Sequence, residues 1–441
     1  MKPILDETHD PEAQSWVESA NVPDADFPIQ NLPFGIFRQR NRNDPTVGVA
    51  IGDRILDVAG VLGYVEDDRV ELAVRACAST ASLNALMSLQ ADPRCVLRRH
   101  LHAVLRQEAS ASDQRAASRH LFAQSDVEML LPAVIGDYTD FYASIFHASN
   151  VGKLFRPDNP LLPNYKYIPI GYHGRASSLV PSETPIRRPS GQTRDGDAAP
   201  NFGPSKSLDY EMELGFFVSA GNKLGETIPI AEAEDHIFGI CLLNDWSARD
   251  IQAWEYQPLG PFLAKSFATS LSPWVVTMEA LAPFRAPAFA RAEGDPQPLP
   301  YLFDPSDQEH GGLDLSLEVS LLSARMRQDG IAPMVLGRSN FRDMYWTMAQ
   351  ILTHHASNGC NLRAGDLLAS GTVSGVDKTA RGCLLELTSR GKDPLTLATG
   401  EQRKFLEDGD EVILRGFCDR ESFRRIGLGS CRGAILPAVA S

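Results

Sequence analysis

Between Leu313 and Leu321 the chain alternates without a break, with Leu313, Leu315, Leu317, Val319 and Leu321 set against Asp314, Ser316, Glu318 and Ser320. A period of two predicts a strand with one buried face. The stretch Leu208–Val218 is apolar or β-favouring except at Asp209, Glu211 and Glu213, and it predicts a buried strand carrying acids. Short apolar runs from Gly35 to Val58, broken at Gly52-Asp53, predict a hairpin. Over residues 67–108 the period becomes helical, and Leu101, Val104 and Leu105 form a stripe beside Arg98, Arg99 and Arg106. Ala109–Ser118 reads as a linker or helix extension, and residues 1–28 as an irregular lead-in. A compositional break near Ser125–Pro132 divides a small N-terminal domain, residues 1–127, from a larger domain, residues 128–441. The second part is rich in strand patterns, Gly and Pro, with a long loop expected over residues 281–312. Helices are expected there only after Asp245 and over Asn340–His355, the latter closed by Gly359. Long β segments with few helices predict a mainly β protein with a rolled or closed sheet, not a βαβ fold.

Composition narrows the function more than the fold. The 441 residues carry 42 basic and 56 acidic side chains, a formal charge of −14. That balance argues against nucleic acid or an anionic membrane as partner. No apolar run reaches membrane-spanning length, and Met1–Asp10 is polar with no signal-peptide core, so a cytoplasmic protein is expected. Seven scattered cysteines, odd in number and without a CxxC pair, read as reduced thiols.

The acids of Leu208–Val218 then raise a chemical question. On a strand, Glu211 and Glu213 share a face about 7 Å apart. Two buried carboxylates need positive charge between them, and a divalent cation supplies it; the alternative is an exposed acidic edge. A second acidic segment runs Asn244–Tyr256, where a helix starting at Asn244 or Asp245 would align Asp245, Arg249, Gln252 and Tyr256 on one face. That face combines a metal ligand with donors for an oxyanion, although a surface Asp–Arg pair reads equally simply. Lys265 is a lone cation in an apolar run. Upstream, Gly136–Tyr142 offers a further aspartate, and His147 is the histidine nearest an acidic motif, a candidate general base. His173 lies in a Gly-bounded loop with Tyr172, whereas His354 and His355 complement a helix C-terminus. A four-carboxylate, all-oxygen site suits Ca²⁺ or Mg²⁺, with Mn²⁺ as a further candidate, better than zinc. Spacing alone thus yields a metal-assisted hydrolase or lyase acting on a small carbonyl compound.

At this point whole segments resemble the fumarylacetoacetate hydrolase family. They are Gly136–Tyr142, Gly171–Ser178, Thr184–Pro189, Asn244–Tyr256, Pro258–Phe267, Ser272–Val276, Met344–Met348 and Leu368–Thr372. The resemblance implies an N-terminal SH3-like β-barrel domain with helices, then a β-sandwich roll carrying the active site in a homodimer. It implies metal ligands Asp140, Glu211, Glu213 and Asp245, and a second cation position shared by Asp245, Lys265 and Thr269. His147 would be the base, oriented by Glu386, with Arg249, Gln252 and Lys265 as the oxyanion donors. Tyr142, Arg156, Tyr172, Gln252, Tyr256 and Thr372 would line the substrate, a small β-diketo acid. The implied reaction is hydrolysis of the C–C bond of 4-fumarylacetoacetate to fumarate and acetoacetate, closing tyrosine and phenylalanine degradation. Two positions depart from the family pattern: Ile145-Phe146, where animal members carry a polar pair, and Ala268, a glycine in some relatives. The same carboxylates would serve an acylpyruvate hydrolase or a decarboxylase–isomerase. A binding protein with a dead site is the reading from another class, and intact His147, Glu386, Arg249 and Lys265 oppose it.

Overall fold

The computed structural model describes residues 4–40, 44–64 and 67–439, so the first three residues of the lead-in lie outside it. Strands β1 (Phe34–Gln39), β2 (Thr46–Ile51) and β3 (Arg54–Asp57) form an antiparallel meander. Its tight turn uses Gly52 at φ +56°, a conformation that disfavours a Cβ. Helices α1 (Asp68–Ser79), α2 (Asn84–Met87), α3 (Ala91–Leu105) and α4 (Ala111–Ser118) follow. Ala109–Ser118 is therefore mostly a separate helix, started by the Ser110 side chain accepting from the Asp113 amide. The chain then adds β4 (Leu121–Ala123) beside β3 and β5 (Val127–Leu130) beside β1, giving the order β4-β3-β2-β1-β5. This is the SH3-like unit with its helices. β5 still pairs with β1 beyond residue 127.

The larger part is two curled sheets over one core. The first runs β7 (Gly171–His173), β6 (Tyr138–Phe141), Leu367–Ala369, Met212–Val218, Ile237–Asp245, Thr269–Leu271 and β8 (Leu179–Pro181). The second orders Met334–Asn340, Ser316–Leu322, Glu411–Cys418, Ile426–Leu436 and Ile186–Arg187. Met212, Leu214, Phe216 and Val218 from the first sheet meet Leu317, Val319, Leu321, Val412 and Leu414 from the second. On the opposite face Phe217, with Phe238, Leu243, Leu271 and Val275, packs against Phe34, Leu86 and Leu97 of the N-terminal unit. Phe34 and Val275 also exchange backbone hydrogen bonds of 3.0 and 2.7 Å, so the two units share a core and a bridge.

Several local expectations need correction. The Leu208–Val218 stretch is broken: Leu208–Asp209 pairs with Ser247–Ala248, and only Met212–Val218 joins the large sheet. Asp245 ends a strand, and helix α6 (Arg249–Glu255) starts four residues later without a side-chain cap, because Asp245 is taken up in pairing with Thr269. Asp245 therefore does not lie on the helix face of Arg249 and Gln252. The alternating Leu313–Leu321 positions are all buried, but the pattern is split at Asp314 into Gly312–Leu313 and Ser316–Leu322. Residues 281–312 hold short 3₁₀ turns and the helix Pro305–His310 instead of continuous loop. Helix α5 (Ile145–Phe155), which follows β6, had no sequence expectation. All seven cysteines are free; Cys95 and Cys360 are half-buried and the other five buried. Among the described residues no helix is long and apolar enough to cross a membrane.

Candidate active site

The carboxylates converge because neighbouring strands carry them in register. β6 runs parallel to Leu367–Ala369 and antiparallel to β7, setting Asp140 opposite Ala369 on one side and Tyr172 on the other. Glu213 lies on the next strand but one from β6, and Asp245 ends the strand beyond it, opposite Thr269. Oxygen atoms of Asp140, Glu213 and Asp245 lie within 4.8 Å of one another, all buried. Asp140 Oδ1 and Glu213 Oε1 have no hydrogen-bond partner. Burial first, then the neighbouring carboxylates, push Asp140 and Glu213 far above the usual carboxylate range. Buried acids with orphaned oxygens, crowded until they hold protons, make the donor set a divalent oxygen-binding ion would satisfy. The residues present fit such an ion.

Glu211 stands differently. Its oxygens meet Arg249 Nη1 at 2.7 Å and Lys265 Nζ at 2.6 Å. Burial raises its carboxyl, but the two cations outweigh that and hold it below the usual range. Lys265 also donates to Asp245 at 2.7 Å, and Thr269 Oγ1 donates to the other Asp245 oxygen at 3.0 Å. The Lys265 ammonium therefore bridges Glu211 and Asp245. Arg249 lies one turn before Gln252 on α6 and reaches its Oε1 at 3.3 Å, while its Nη2 is buried without a partner.

The candidate base, His147, comes from α5. Ser144 caps this helix through the His147 amide, at 3.2 Å, and donates to the Ser374 carbonyl, fixing where the helix begins. His147 Nδ1 meets Glu386 Oε2 at 2.7 Å, with both side chains buried. Three further groups grip that carboxylate: Asn150 at 2.8 Å, Ser374 at 2.8 Å and the Cys383 thiol at 3.2 Å. Burial works against ionisation, yet His147, Asn150 and Ser374 hold Glu386 down at about 2. With Nδ1–H donated to an ionised carboxylate, His147 Nε2 is left to accept a proton.

These groups share one cavity of about 440 Å³, whose wall also includes Tyr142, Tyr172, Tyr256 and Thr372, with exposed Arg156 at its mouth. Glu213, Asp245, Thr269 and Glu386 stand behind that wall, each bonded to another group of the assembly. Comparison with known proteins identifies the family. Residues 138–436 match the family model described as fumarylacetoacetate (FAA) hydrolase C-terminal, and residues 30–132 the one described as fumarylacetoacetase N-terminal. The chain belongs to the fumarylacetoacetate hydrolase family. It is 50% identical to a Bos taurus fumarylacetoacetase over 95% of this chain and 98% of that one. A Homo sapiens fumarylacetoacetase is 49% identical over 94% and 97%. A solved fumarylacetoacetate hydrolase from Exiguobacterium antarcticum shares the fold, with TM-score 0.50 and 17% identity over 92% of this chain and 99% of that one.

Of the site residues expected from the resemblance, Asp140, Tyr142, His147, Arg156, Tyr172, Glu211, Arg249, Gln252, Tyr256, Lys265 and Thr372 line the cavity, and Glu213, Asp245, Thr269 and Glu386 stand behind it. Of the two departures, the Ile145-Phe146 pair puts Ile145 against the core and Phe146 edge-on to Phe289, with ring centroids 5.9 Å apart, and Ala268 is buried in the same core. The grip of Asn150, Ser374 and Cys383 on Glu386 was missed. Asn150 lies three residues after His147 on a helix, a spacing that could have signalled it. Ser374 and Cys383 had no local signal.

Proposed function

We propose that this protein hydrolyses 4-fumarylacetoacetate to fumarate and acetoacetate, as a homodimeric cytoplasmic enzyme that uses Ca²⁺ or Mg²⁺, with Mn²⁺ as a substitute. What carries the reading is one juxtaposition: a buried His147–Glu386 pair, an unpartnered Arg249 Nη2 and a crowd of carboxylates around a single cavity. Asp140, Glu213 and Asp245 would hold the ion, joined by Glu211 once it gives up a contact to Lys265 or Arg249. When bound, such an ion supplies Lewis-acid polarisation of a β-diketone. A second cation beside Asp245, Lys265 and Thr269 would share its carboxylate with the Lys265 ammonium.

His147 Nε2 takes a proton from water, and the oxygen adds to the carbonyl next to the fumaryl group. Glu386 stabilises the resulting imidazolium through Nδ1–H. Negative charge developing on the carbonyl oxygen meets donors from Arg249, Gln252 and Lys265, each worth roughly 3 kcal/mol in a water-excluded site. As the C–C bond breaks, its electron pair leaves on the acetoacetate carbon, and the His147 imidazolium returns the proton there. Arg156 at the cavity mouth and Tyr172 suit a substrate carboxylate. The experiment is a spectrophotometric assay of metal-stripped protein with and without Mg²⁺ or Ca²⁺, on fumarylacetoacetate beside fumarylpyruvate. Metal-restored loss of fumarylacetoacetate with fumarate appearing is expected. Turnover of fumarylpyruvate alone would move the protein to acylpyruvate hydrolysis.

A further inference from the structure

Asp209, the first acid of the Leu208–Val218 stretch, is fully buried and does not line the cavity. Its carboxylate nevertheless accepts four hydrogen bonds. Oδ1 takes the Tyr210 and Leu384 amides at 2.9 and 2.8 Å. Oδ2 takes the Leu385 amide and Arg249 Nε, both at 2.9 Å. Leu384 and Leu385 open the short helix Leu384–Leu387 that carries Glu386. One buried anion therefore holds the helix of the proton-relay carboxylate and the guanidinium of the oxyanion donor at once. Among the described residues, no other side chain of the site is hydrogen-bonded to both. Asparagine could not reproduce the arrangement: it has one acceptor oxygen, and its amide hydrogens would face an N–H on the other side.

We propose that Asp209 is a positioning residue for hydrolysis, tying the His147–Glu386 pair and Arg249 into one frame. Proton acceptor and charge-stabilising donor then keep a fixed separation while the cavity fills. This rests on the activity proposed above. The geometry explains why Arg249 spends Nε on a residue outside the cavity: that bond aims the plane of the guanidinium and leaves Nη2 free for the substrate.

The test is steady-state kinetics of D209N on fumarylacetoacetate, alone and in the E386Q background. Misplacing a catalytic group by an ångström costs about 100-fold, so D209N is expected to lose about that much kcat with KM within about threefold. In E386Q half of what Asp209 holds is already inactive, so D209N should cost less than about tenfold there. Equal losses in both backgrounds, or a loss confined to KM, would overturn the inference. If D209N does not fold, D209E serves in the same comparison, since it keeps the charge and displaces the carboxylate by one methylene. Wild-type turnover is measured alongside. An inactive wild type would count against the proposed activity, whereas an active wild type with unimpaired D209N would count against this inference alone.

Discussion

At the scale of single residues the site is governed by how each buried charge is matched. Glu386 is ionised because His147, Asn150 and Ser374 together outweigh its burial, holding its carboxyl at about 2 against an ordinary 4.5. Its folded value is depressed, so these contacts stabilise the fold in full above pH 4.5 and are lost as pH falls toward 2. Glu386→Gln should cost on the order of 3 kcal/mol at neutral pH, and the gap from wild type should close across that acid window in urea unfolding. A gap that stayed constant would mean that Glu386 is not held ionised. His147→Ala removes the proposed base, and should lower kcat by about 10²–10⁴-fold. Calorimetric titration of Mg²⁺ or Ca²⁺ into that variant should stay close to wild type, because the imidazole bonds Glu386 and not Asp140, Glu213 or Asp245.

Among the elements, strand register decides which acids meet, and one glycine makes the fit. Gly371, at φ +75°, donates its amide to Glu213 Oε2 at 3.1 Å. A Cβ there would lie 2.2 Å from the Phe141 carbonyl, next in chain to Asp140. Gly371→Ala should therefore destabilise by more than about 1 kcal/mol and weaken metal binding as well, read by thermal unfolding and calorimetry. Normal metal affinity would show that the end of β6 can shift without moving Asp140. The same register explains what could be read from sequence. Glu211 and Glu213 were visible as acids in an apolar stretch, but only Glu213 lies on a strand, because the chain leaves the sheet between Asp209 and Met212. Asp245 was recognised as an acid of interest but placed on a helix, since nothing local says that its strand runs to that residue before α6 begins. Helix α5 was illegible because its start rests on Ser144 bonded to a carbonyl 230 residues away. Glu386 came from family resemblance, as its partners are brought together only by tertiary packing.

For the molecule as a whole, one strand serves two masters. Met212–Val218 carries Glu213 near its start and Phe217 on the same face near its end. Phe217 is packed with Phe238, Leu271 and Val275 under the N-terminal unit. Each large apolar side chain uncovered costs about 1.5–3 kcal/mol, and a typical domain has only about 5–15 kcal/mol to lose. A chain shortened to residues 133–441 is thus expected to aggregate, which light scattering after size exclusion would reveal. A monodisperse, active fragment would show that the unit is dispensable for the roll.

The burial of the thiols carries a consequence for the enzyme's own survival. A fumaryl double bond conjugated to a ketone is a soft electrophile, and thiolates are the groups it would consume. Cys383 stands against the Glu386 carboxylate at 3.2 Å, closest of the sulfurs to the relay. Burial, then Glu386 and Asp209, push that thiol well above its ordinary range, so the carboxylate bonded to His147 also keeps its neighbour protonated. Cys241 is raised to about 12 and Cys95 to about 11 by burial. After prolonged turnover, intact-mass and peptide mapping should find Cys383 unalkylated. The thiol nearest the chemistry would then survive the reagent the enzyme destroys.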